Sequence, residues 1–266
     1  MKIKFCGAAQ SVTGSCYLLD YAGGKVLVDC GMRQGADRKG EYGEDRFPFE
    51  PASVSAVLLT HAHIDHSGLL PLLVRQGFQG VILATGATAQ LCSIMLPDSA
   101  HIQEQDAEWE NRKRLRAGKE PIEPLYTMKD ATKTLGMFRP ASYNEVVQLQ
   151  PHIRVRFNDA GHLLGSSSIE LWVEEEDKII KIVFSGDIGR DDRPIIKDPE
   201  DIENADYLIC EGTYGDRNHE VGTDDEKMHE FAAVIEKAIR RGGNIVIPSF
   251  AVGRTQELLY YIKRLL

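Results

Sequence analysis

Residues 60–68 read Thr-His-Ala-His-Ile-Asp-His-Ser-Gly, and no other stretch limits the fold as strongly. Three imidazoles and a carboxylate are bunched in a few residues, and polar groups taken out of water need partners. Packing alone does not explain them. Residues 54–60, just before, form a β-branched and leucine run that fits a buried strand. Residues 67–76, just after, carry Leu69, Leu70, Leu72 and Leu73 at helical spacing and stop at Gly77. Imidazole nitrogen and carboxylate oxygen are zinc ligands. His61 and His63 can point together from an extended turn, while Asp65 and His66, at the helix start, point toward a second position nearby.

Further ligands must come from elsewhere, and two segments offer them. Residues 159–166, Asp-Ala-Gly-His-Leu-Leu-Gly-Ser, follow a strand, and their glycines allow a close backbone approach that brings in His162. Residues 184–189, Phe-Ser-Gly-Asp-Ile-Gly, put Asp187 on a tight loop at a strand end, where a carboxylate can bridge two metals. Alone, either residue would read as structural; beside the four-ligand motif both are expected ligands. His101, His152, His219 and His229 stand isolated in polar or helical stretches and read as ordinary residues.

The rest of the chain reads as α/β. Residues 17–21 and 25–28 flank Gly23-Gly24, a hairpin signal. A strand at 81–84 follows the helix at 67–76, and strand–helix–strand order implies layers. Residues 98–117 read as a helix whose Arg112, Lys113, Arg114 and Arg116 form a solvated face. Strands return at 153–157, 168–173 and 178–184, with an acidic turn at 174–177. From 206 on, the pattern is a strand at 207–210, a helix at 224–241, a strand at 244–247 and a helix from 254 to 266. The first of these helices has Met228, Phe231, Ala232, Ile235, Ala238 and Ile239 on one face and a capping box at Thr223 and Glu226. This β-α-β-α order predicts parallel strands and a domain boundary near 205. The loops at 211–217 and 248–258 would then share one carboxyl edge, with Glu211 and Arg254 facing one cleft.

The length of 266 residues allows one large domain or two small ones, and 31 Lys+Arg against 40 Asp+Glu give a net charge of −9. So acidic a chain is a poor non-specific coat for nucleic acid. A metal pair would restore about +4 locally, which leaves a nucleic-acid enzyme open. No apolar run approaches the roughly 20 residues of a membrane span, and the first residues lack the apolar region of an export signal. The five cysteines (Cys6, Cys16, Cys30, Cys92 and Cys210) contain no C-x-x-C and read as reduced cytoplasmic thiols. Cys6, Cys30 and Cys210 are expected to be buried in or beside strands.

His-x-His-x-Asp-His, then Ala-Gly-His, then Ser-Gly-Asp, preceded by Leu-Val-Asp-Cys-Gly at 27–31, resembles the metallo-β-lactamase superfamily over residues 1–205. The resemblance implies an αββα sandwich with two metal ions, usually Zn2+, at one sheet edge. By that likeness His61, His63 and His162 hold one ion, Asp65 and His66 the other, Asp187 bridges, and Asp29 supports the ligand loop. His66 together with Asp187 speaks against β-lactam hydrolysis.

Glu-Gly-Thr-Tyr-Gly at 211–215 and Pro-Ser-Phe-Ala-Val-Gly-Arg-Thr-Gln-Glu-Leu at 248–258 are similar to the β-CASP group of that superfamily, which processes nucleic acids. Residues 206–266 would then begin a parallel α/β β-CASP module. The implied function is a phosphodiesterase that cleaves RNA with a hydroxide shared by the two metals, Mn2+ being the alternative to zinc. In that scheme Asp65 serves catalysis at the metal pair, Glu211 is the motif acid and Arg254 meets substrate phosphate. In the group the module runs on and supplies two later histidines, so this chain is expected to be an N-terminal portion, weakly active alone, with a sheet edge that invites pairing of two copies. A dizinc thioesterase or other small-molecule hydrolase and a non-catalytic nuclease-like scaffold are the alternatives.

Overall fold

The turn at Gly23-Gly24 joins the strands of a hairpin, as its sequence predicts. The computed structural model describes residues 1–35, 46–176, 178–216 and 224–265. In it β1 (Lys2–Gly7), β2 (Cys16–Tyr21) and β3 (Gly24–Val28) pair antiparallel in succession. β4 (Ala56–Leu58), β5 (Val81–Thr85) and β6 (Phe138–Ala141) add in parallel, completing a six-stranded sheet in sequence order. Parallel neighbours need crossovers. α1 (Ile64–Ser67) and α2 (Leu70–Arg75) supply one; α3 (Gly86–Arg116) and α4 (Met128–Leu135) supply the next.

β7 (Val147–Gln150), β8 (Ile153–Asp159), β9 (Ser167–Glu175) and β10 (Lys178–Phe184) form an antiparallel second sheet, with β11 (Tyr207–Ile209) parallel to β10 at its edge. The side-chain period of two divides the core. Leu19, Val26, Val28 and Leu58 meet Ile153, Val155, Phe157, Ile169 and Leu171 between the sheets. Leu18, Leu27, Val57 and Ile82 face the other way, onto Leu70, Leu73, Cys92 and Leu96 of the helices. Among the described residues no helix is long and apolar enough to cross a membrane.

The helix read at 67–76 is two helices. The carbonyls of Ile64, Asp65 and His66 accept N–H bonds from Met32, Ser15 and Cys30 at 2.9, 2.8 and 2.7 Å, so the first turn is sewn to neighbouring extended chain and does not run on into α2. The helix read at 98–117 starts earlier, at Gly86, capped by Thr85, and carries Pro97 inside it. Cys210 is exposed rather than buried, because it follows the edge strand; all five thiols are free.

Met1–Asp191 with Asp198–Glu211 form one unit, and Asp192–Lys197 with Gly212–Leu266 form another. The strand at 207–210 pairs with β10 and clusters with the first unit. The second unit contains α5 (Asp224–Arg240) and α6 (Arg254–Leu265). Residues 244–247 form no strand. Strand pairing needs a partner edge, and among the described residues no strand pairs with this segment. Thr223 of the expected capping box, and His219, lie outside the described residues.

Candidate metal centre

Three loops meet at one edge of the sandwich, and two glycines let them do so. A Cβ on Gly31 would lie 1.6 Å from the Asp65 carbonyl oxygen, so the Asp29 loop can meet the start of α1 only without a side chain. A Cβ on Gly189 would lie 1.6 Å from the Gly161 carbonyl oxygen, and its N–H donates to the Ala160 carbonyl at 2.8 Å. That contact presses the Asp187 loop against the His162 loop. The His162 turn is held from inside: Ser166 Oγ accepts the N–H groups of His162 and Leu163 at 3.0 and 3.1 Å. From outside, the hydroxyls of Thr85 and Thr88 donate to the Gly165 carbonyl at 2.6 and 2.7 Å.

The result is a convergence of donor atoms. His61 Nε2 and His162 Nε2 each lie 3.2 Å from His63 Nδ1. Asp187 Oδ2 lies 3.7 Å from His61 Nε2 and 3.5 Å from His162 Nε2. Zinc–ligand bonds of about 2.0–2.1 Å in a tetrahedron separate the donors by roughly 3.3 Å. The four groups, whose donor atoms all lie within 4.8 Å of one another, therefore fit one ion. The other carboxylate oxygen, Asp187 Oδ1, is 3.2 Å from His66 Nε2, on a second side of the same acid. Asp65 lies within electrostatic reach of His66 and Asp187 but outside the four-donor cluster.

Burial and neighbouring charge separate the histidines. Burial, followed by the repulsion of His66, His63 and His162, holds the His61 pKa well below its ordinary value. Burial likewise lowers that of His63. For His66 burial acts in the same sense, but Asp29 and Asp187 outweigh it and the pKa rises well above normal. Burial opposes ionisation of Asp187, yet its bond to His66 and the nearby imidazoles bring its pKa below the ordinary value, whereas burial raises that of Asp65. His61 and His63 are thus uncharged near neutrality, and His66 must release a proton to bind an ion.

Asp29, held at φ +56°, places Oδ2 2.7 Å from His66 Nδ1. Such an acid behind an imidazole orients the ring and raises its basicity. Glu211 clusters with the first unit: its Oε1 accepts the Ile188 N–H at 2.7 Å, and its own N–H donates to Ser185 Oγ at 3.0 Å. It therefore brackets the loop that carries Asp187. Arg254 belongs to the other unit, where it donates to Glu257 at 3.1 Å. His101 and His152 are engaged away from the cluster, with Gln105 and Glu174. Sequence reasoning passed over Thr60, Thr85, Thr88 and Ser166; for Thr60 the available signal was a hydroxyl at a strand end directly before the first histidine.

The family model of the metallo-beta-lactamase superfamily matches residues 11–214. The chain is 38% identical over 262 residues to Ribonuclease TTHA0252 of Thermus thermophilus, an alignment covering 98% of this chain and 54% of that protein. It is 31% identical to Transcription termination factor FttA of Methanosarcina mazei, covering 99% of this chain and 39% of the relative. It is 31% identical to Cleavage and polyadenylation specificity factor 73 of Drosophila melanogaster, covering 97% and 35%. The chain belongs to the metallo-β-lactamase superfamily. Family and His/Asp cluster together imply a divalent metal ion. The chain spans about half the length, or less, of these relatives.

Proposed function

We propose that this chain carries the metal-binding part of a hydrolase that cleaves RNA phosphodiesters in the cytoplasm. The observation that carries the reading is the meeting of His61, His63, His162 and Asp187 donor atoms within 4.8 Å of one another. The relatives' names, a ribonuclease among them, support RNA as substrate. His61, His63 and His162 would hold one Zn2+, Asp65 and His66 a second, and Asp187 would give one oxygen to each. Bound ions supply Lewis acidity and bring the pKa of a coordinated water toward neutrality. Asp65 would serve catalysis at the metal pair as an ionised ligand of the second ion. Glu211 would act on the leaving group's proton donor without binding metal, and Arg254 would meet a substrate phosphate. We assign residues 1–205 to the metallo-β-lactamase domain and 206–266 to the start of the β-CASP module.

The test is elemental analysis of the protein with RNA, DNA and thioester cleavage assayed side by side, using Zn2+ and Mn2+. His61→Ala should lower metal content and abolish cleavage. Glu211→Gln should keep the metal and lose most of the RNA cleavage. Thioester cleavage without RNA cleavage would replace this reading with that of a small-molecule hydrolase.

A further inference from the structure

Thr60 is 1% exposed and sits where the three ligand loops touch. Its N–H donates to Asp29 Oδ1 at 2.8 Å, and its carbonyl accepts both the N–H and the hydroxyl of Ser167 at 2.9 Å. Its methyl side faces Gly186, where an added Cβ would lie 2.9 Å from Thr60 Cβ. Its hydroxyl oxygen lies 2.8 Å from Asp29 Oδ2 and 3.1 Å from His61 Nδ1.

A hydroxyl has one hydrogen to give, and a carboxylate can only accept. The Thr60 hydrogen therefore goes to Asp29; His66 Nδ1, 3.4 Å from the Thr60 oxygen, is claimed by Asp29 at 2.7 Å, which leaves His61 Nδ1 at 3.1 Å as the donor to Thr60. That requires the His61 hydrogen on Nδ1 and leaves the lone pair on Nε2, the atom that faces His63 and Asp187. The same Asp29 takes the Nδ1 hydrogen of His66 directly, at 2.7 Å. We propose that Thr60 is a positioning residue whose hydroxyl relays the Asp29 carboxylate to His61, so that one acid orients one histidine in each half of the site. The inference rests on reading His61 and His66 as ligands. A threonine that merely fills space would be replaced by valine without consequence for the ring, since the two side chains have nearly the same shape.

The test uses nitrogen-15 NMR of the imidazoles in the metal-free full chain, so it is independent of whether RNA is cleaved. In the unaltered protein His61 should carry its hydrogen on Nδ1. Thr60→Val should move that hydrogen toward Nε2, while Thr60→Ser, which keeps the hydroxyl, should restore the original signature. Competition with a chelator should show Zn2+ affinity falling about 10- to 100-fold in Thr60→Val and recovering in Thr60→Ser. His61 hydrogen on Nε2 in the unaltered protein would overturn the proposal, a result that needs no variant to fold. An unchanged His61 signature and affinity in a folded Thr60→Val would overturn it as well.

Discussion

Phe157 in β8 is fully buried, whereas Phe250 in the second unit is 76% exposed. The contrast extends to their surroundings. Between the sheets Leu19, Val26, Ile169 and Leu171 are excluded from water; in the second unit Val234, Ile239, Val246 and Leu259 face it. Among the described residues of that unit the buried one is a charge, Glu257, held by Arg193 and Arg254. Both regions have helices that their sequences predict. Helical periodicity and capping act over one or two turns, but burial needs a second surface brought from elsewhere. A local pattern therefore tells where a helix forms, not whether its apolar side is covered.

The sharpest way to break this contrast is a single methyl group. Gly31→Ala puts a Cβ 1.6 Å from backbone that cannot retreat, and should cost about 4 kcal/mol or more. Gly243→Ala meets nothing nearer than 3.9 Å and should stay within about 0.5 kcal/mol. Chemical unfolding of both variants decides; a Gly31→Ala protein as stable as the parent would remove the argument for close approach. Next in size, Phe157→Ala should cost about 3–5 kcal/mol and Phe250→Ala within about 0.5 kcal/mol, read by urea titration. Equal losses would mean that the second unit has a core after all.

Within the site, the two halves should part on acidification. The raised pKa of His66 means that an ion bound on that side would have to displace a proton, while His61 and His63 stay neutral to lower pH. Between pH 8 and pH 6 affinity on the His66 side should therefore fall first, by up to about tenfold per pH unit. Chelator-competition titrations at several pH values would show it; parallel weakening of both halves would contradict it. A small effect is expected at Arg254→Ala as well. Its side chain is 57% exposed and Glu257 keeps Arg193, so thermal unfolding should report a loss within about 1 kcal/mol.

What could be read in advance follows the range of the forces involved. His61, His63, Asp65 and His66 were legible because their bunching has no structural excuse. β2, β3 and β5 were legible because both faces are buried. The first half of α3 was hidden by Gly86 and Pro97, residues that usually break helices; burial of Cys92 and Leu96 overrides them. β6, overlooked in the sequence, contains Pro140, and it lies at a sheet edge, where proline is tolerated. The capping box of α4, Thr127 with Asp130, was plain in the sequence and went unread. The segment at 244–247 has strand composition but pairs with no strand among the described residues, which composition cannot reveal. Thr60 and Ser166 were opaque for another reason: a hydroxyl's partners depend on loops distant in sequence that meet only after folding.

The cluster's donors come from opposite sheets: His61 and His63 follow β4, while His162 and Asp187 follow β8 and β10. An ion there works as a clasp across the sandwich, and prising the layers apart means giving it up. Since an ion that binds only the closed form adds about 2.7 kcal/mol at a hundredfold excess over its dissociation constant, metal supply would set how firmly the whole sandwich stays shut, well beyond the few side chains that touch it.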